Sequence, residues 1–144
     1  MFFGDQGPAP KGNAPRRPAV EGRFDEAHLR LIRACPCLAC GGRPAEAAHL
    51  RYGDHLRGKP HAGTGQRPDD KWTNPLCPKC HRLGPGCQHD GNERVWWEAH
   101  RIDPVETAQA LWTASSQSRA RGTPAHEIIE TMSAIVRAAR RRRR

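Results

Sequence analysis

Two Cys-x-x-Cys pairs, Cys37/Cys40 and Cys77/Cys80, constrain this chain more than any other feature of its sequence. Each pair can wrap two thiolates around one tetrahedral ion from a tight turn. The pairs lie far apart, so one zinc bound by all four sulfurs closes a long loop. A chain of 144 residues with 36% hydrophobic and 6% aromatic residues has a thin core for its length, and such a staple offsets part of that shortfall. The alternative is a disulfide framework, since the 6 cysteines are an even number. The Met1-Phe2-Phe3 start runs at once into Gly, Asp and Gln and makes no secretory apolar stretch, so a reducing, cytoplasmic setting is the expectation. Cys35 and Cys87 are left over and read as free thiols.

Charge points to a polyanionic partner. Lys and Arg number 24 against 15 Asp and Glu, a formal balance of +9. The stretch Arg137 to Arg144 holds six of those basic residues and no acid, which leaves the rest of the chain near +3. The tail Arg140, Arg141, Arg142, Arg143 and Arg144 reads as an arm for phosphate backbone, and a solvated, disordered end would look the same. No apolar run approaches the ~20 residues that span a bilayer, so no membrane partner is expected.

Three regions follow from the pattern. Residues 1–22 are rich in Pro and Gly and read as a disordered leader. Residues 23–116 form the central domain, and residues 117–144 a C-terminal helix ending in the Arg tail. Asp25 is placed to cap a helix bearing Leu29, Leu31 and Ile32 that ends before Pro36. Ala45 to Leu50 and Thr73 to Leu76 are candidate strands. Asn92 and Asp103 are placed to cap two more helices, the second with Pro104 at its first position and Glu106 three residues on. Thr123-Pro124 opens a last helix with Ile128, Met132, Ile135 and Val136 on one face. That helix docks on the domain or on a second copy of the chain.

The order Cys37-Leu38-Ala39-Cys40, Ala47-Ala48-His49, Cys77-Pro78-Lys79-Cys80-His81 resembles the zinc-bearing HNH endonucleases. Neighbouring words resemble a small phage-type group of that family: His49 to Gly53, Pro68 to Thr73, Pro75 to Cys77, Gln88-His89, Asn92-Glu93, Trp96-Trp97 and Ile102 to Pro104. The likeness spans about residues 28 to 112. It implies an α+β fold: a small ββα-metal core stapled by a structural zinc, with further C-terminal helices. It implies a metal-dependent endonuclease that hydrolyses DNA phosphodiester bonds. His49 would be the general base at the end of the first strand. His81, opening a helix, and His89 would hold a catalytic divalent ion, Mg²⁺ or Mn²⁺. Arg51, Arg57 and Lys59 flank the His49 loop and are candidate phosphate contacts.

Two positions depart from the family. Ala48 stands where many members carry a metal-binding acid or His. Alternation places Glu46 off the His49 face of an unbroken strand. Asn74 lies closer to Cys77 than the family Asn does, and Asp70 is a weaker alternative. Two other readings remain: a zinc-stabilised nucleic-acid-binding module without catalysis, and a phage assembly or recombination accessory protein that works as a homodimer or with another phage protein.

Overall fold

The computed structural model of the chain describes residues 22–63 and 65–143. The leader expected over residues 1–22 lies outside these except for Gly22, and so does Arg144 of the tail. Gly22 is buried and its carbonyl accepts from Lys71 N at 2.9 Å, so it belongs to the folded body.

The fold is α+β. Its described elements run α1 (Glu26–Arg33), β1 (Glu46–His49), β2 (Thr73–Leu76), α2 (Glu93–His100), α3 (Pro104–Ala120) and α4 (Ala125–Arg141), with a 3₁₀ turn at His55–Arg57 and a single π-helical turn at Lys79–Leu83. The helix starts sit where capping chemistry puts them. Asp25 accepts from His28 N, Asn92 from Val95 N, and Asp103 from both Val105 N and Glu106 N, with Pro104 at the first helical position of α3. β1 and β2 pair antiparallel, with His49 opposite Thr73, Ala48 opposite Asn74 and Glu46 opposite Leu76.

One core unites these elements. Ile32 and Cys35 from the α1 region, Leu38, Ala48, Leu50, Leu76, Trp97, Leu111 and the α4 residues Ile128, Met132 and Val136 lie in a single buried cluster. α4 packs on α3 and on α1. The expected division at residue 117 therefore marks no structural boundary: α3 runs through it, and α4 covers the domain's own core. No helix among the described residues is long and apolar enough to cross a membrane.

Two expectations change. The resemblance implied a helix opened by His81. Only one turn forms there, because Gly84 is extended ahead of Pro85, whose ring disfavours helical geometry in the preceding residue. The Arg tail was expected to be free. Instead α4 continues through Arg141, and Arg143 reaches back to the carbonyls of Leu38 and Ala39.

His28 makes the fold sensitive to acid. It is fully buried, neither ring nitrogen has a partner among the described residues, and its ring stands edge-on to Trp112 at 5.0 Å. Burial pushes its pKa down to about 4; Asp25 opposes this, and the Arg119 charge adds to it. Below pH 6.5 the unfolded chain binds a proton that the folded chain refuses, so stability is complete above pH 6.5 and falls toward pH 4. The full effect is on the order of 3 kcal/mol. Urea unfolding across that range should show the fall in the natural chain and a much flatter profile in His28→Phe.

Candidate functional site

The Cys37–Cys40 turn and the Cys77–Cys80 turn meet at the base of the sheet. One Sγ from each of Cys37, Cys40, Cys77 and Cys80 lies within 4.8 Å of the others. Cys40 Sγ and Cys77 Sγ are 3.7 Å apart. The edge of a tetrahedron with metal–sulfur bonds of about 2.3 Å is about 3.8 Å, so the spacing fits one ion such as zinc. Backbone donors face the sulfurs: Cys40 N to Cys37 Sγ at 3.5 Å and Gly42 N to Cys40 Sγ at 3.4 Å. Such N–H groups favour thiolate over thiol. Leu38 N donates to Pro75 O at 2.8 Å and docks the first turn on β2.

All six cysteines are free of disulfides, and Cys35 and Cys87 lie outside the cluster, as expected. Cys35 is buried and donates to Leu31 O; burial pushes its pKa up to about 11. It is a core thiol.

Above this base, two imidazoles are each held by a carboxylate. His49 Nε2 lies 2.8 Å from Asp70 Oδ1. Asp70 is only 1% exposed. Burial works against its ionisation, but the Asp25 backbone N–H, His49 and Arg67 outweigh it and hold its pKa below the ordinary range. The carboxylate is thus acceptor only, so Nε2 of His49 carries the hydrogen and, in the neutral ring, Nδ1 carries the lone pair. Burial lowers the pKa of His49, Asp70 opposes this, and the charges of Arg67 and His81 add to the lowering. The imidazole is accordingly neutral near pH 7.

The second pair is His81 Nδ1 with Glu46 Oε1, at 2.9 Å. Glu46 is held at about pKa 2, chiefly by Arg82, which donates to both its oxygens, and also by His81. By the same reasoning His81 Nδ1 carries the hydrogen and leaves Nε2 as the donor atom for an ion. His89 stands edge to face with His81, ring centroids 4.5 Å apart.

The expected residues are therefore placed unequally. His81 and His89 come together, His49 is paired with Asp70, and Arg51 is exposed. Lys59 does not belong with the phosphate contacts. It is 1% exposed, and its ammonium donates to the carbonyls of Tyr52 and Pro60, because the loop needs those acceptors satisfied internally. Arg57 is paired to Asp54 and Asp103. Asn74 is buried in β2, where Nδ2 donates to Pro104 O at 3.0 Å and ties the start of α3 to the sheet. Ala48 is wholly buried, so the strand offers no ligand at that position.

Glu46 meets His81 and not His49, and it is Asp70, the weaker alternative to Asn74, that pairs with His49. Asp70 reaches His49 through a turn closed by Thr73 Oγ1 to Asp70 O at 2.8 Å, and only the register of the strands reveals it.

Comparison with family models, with curated proteins and with solved structures returns no significant match.

The sulfur geometry makes a direct forecast. Metal analysis of the purified chain should find about one tightly held zinc per molecule. Cys77→Ala should abolish it and the cooperative unfolding transition with it. A zinc-free, well-folded Cys77→Ala protein would contradict the staple.

Proposed function

We propose that the chain is a metal-dependent endonuclease of the HNH type that hydrolyses DNA phosphodiester bonds, with His49 as general base. The observation that carries this reading is the His49–Asp70 pair. A neutral imidazole with its far nitrogen fixed by a buried carboxylate presents the lone pair of Nδ1, which is what removal of a proton from an attacking water requires. Asp70 also stabilises the imidazolium formed in that step.

His81 and His89 would hold the divalent ion, with Glu46 fixing the tautomer of His81. A bound ion supplies positive charge at the scissile phosphate and at the leaving oxygen. The donor set is two imidazoles without a converging carboxylate, which suits Mn²⁺ better than the oxygen-seeking Mg²⁺. The order β1 with His49, β2, then the turn with His81 matches the family's order of elements, although its helix is reduced to one turn. Basic side chains gather nearby. Two cavities of about 450 and 470 Å³ share His61 and Ala62; Arg51 and Arg94 line one together with Glu93, and Arg23 and Arg67, paired to Asp69 and Asp70, line the other. Such a track suits a phosphate backbone.

A second reading, a nucleic-acid-binding module without catalysis, is favoured by one observation. Ala48 is buried, and among the described residues no group of three His, Cys, Asp or Glu other than the cysteine cluster is close enough to share an ion.

Nicking of supercoiled plasmid separates the two. The expected result is nicking with Mn²⁺, and a loss of about 100-fold or more in His49→Ala with DNA binding retained. The rate should rise with pH through the depressed pKa of His49, below 6.5, and be flat above it. Asp70→Asn should slow the reaction and move that rise to lower pH, because Asp70 favours the charged ring. A natural chain that binds DNA but nicks with neither Mn²⁺ nor Mg²⁺ would establish the binding module instead.

A further inference from the structure

The end of α4 lies on the first cysteine turn. Arg143 Nη2 donates to Leu38 O at 2.9 Å and to Ala39 O, both within the Cys37–Cys40 turn. Gly41, which closes that turn, has φ +80, and a Cβ added there would stand 2.5 Å from Arg140 Nη1. The Arg140 guanidinium therefore lies close to the backbone of the turn, where the left-handed φ favours glycine. Arg140 from the last turn of α4 and Arg143 just beyond it thus meet the same cysteine turn. Arg141 and Arg142 between them are exposed.

These two side chains are in an uncomfortable place unless an anion is present. Nε of Arg140 and Nε of Arg143 are both buried without a partner among the described residues. Burial and the adjacent Arg140 charge disfavour the Arg143 cation. A buried cation is tolerated only where opposite charge compensates it. Four thiolates around one divalent ion carry a net charge of roughly −2, which matches two guanidiniums.

We propose that Arg140 and Arg143 form a cationic clasp on the four-cysteine centre, so that metal retention and the seating of the end of α4 depend on each other. The clasp supports the metal centre and is independent of the nuclease reading. It also divides the Arg tail by role: Arg140 and Arg143 face inward to the first cysteine turn, and Arg141 and Arg142 remain available to solvent and phosphate. Because coupling is reciprocal, whatever the seated clasp adds to the hold on the metal, bound metal adds to the seating of the clasp.

The test is zinc release from the full, zinc-loaded chain to excess EDTA, followed with a colorimetric zinc indicator, with circular dichroism before the challenge to establish that each variant is folded. Arg140→Gln/Arg143→Gln should release zinc about tenfold faster than the natural chain. Arg141→Gln/Arg142→Gln removes the same charge from the same helix end and should release zinc at the natural rate. If the inner double variant does not fold, Arg143→Gln alone carries the same comparison against Arg142→Gln. Equal release rates for inner and outer variants would overturn the clasp, as would an unchanged rate in the folded inner variant.

Discussion

Four sulfur atoms decide the geometry of this molecule. Cys40 and Cys77 stand 37 residues apart in the chain and 3.7 Å apart in space. Between them run β1, the long loop and β2, so bringing the cysteine turns together closes the segment that carries His49 and Asp70. Four thiols cannot ionise side by side without a cation, and without ionisation they bind no metal; an ion held by all four would therefore couple metal binding to folding. The magnitudes favour this view. A structural zinc contributes roughly 10–16 kcal/mol in small metal-dependent domains, against a net stability of about 5–15 kcal/mol for a typical domain.

From that base, the site is built by carboxylates that fix imidazoles. Asp70 joins more than His49: its second oxygen accepts from Asp25 N at 2.8 Å. Asp25 in turn caps α1 and receives both terminal nitrogens of Arg119 from α3. The orientation of His49 is thus tied to two helices through one buried acid. Glu46 plays the corresponding part for His81, between that ring and Arg82. In both pairs an ionised acceptor determines which ring nitrogen holds the proton, and with it which nitrogen is free for chemistry.

Local chemistry was legible in the sequence where it acts over a few residues. The caps at Asp25, Asn92 and Asp103, the strand Thr73–Leu76, the apolar face of α4 and the cysteine pairs all follow from nearest neighbours and spacing. What was not legible depends on long-range placement. Asp70 reaches His49 only through strand register, and Glu46 meets His81 only because the cysteine turn carries that ring across the sheet. Lys59 and the inner arginines of the tail looked like solvent-exposed charges because charge alone does not tell which carbonyls a fold leaves needing donors. The helix expected after Cys80 failed for a local reason that was visible, the Gly84-Pro85-Gly86 run.

The central claim is that one tetrathiolate ion organises the fold. Titrating the metal-free, reduced chain with Co²⁺ tests it directly, by following the visible absorption of the ion and the near-ultraviolet circular dichroism of the packed Trp residues together. The account predicts the spectrum of tetrahedral, sulfur-ligated cobalt, saturating at about one ion per chain, with native dichroism appearing over the same range. Native dichroism already complete before any cobalt is added, or cobalt bound without thiolate character, would contradict it.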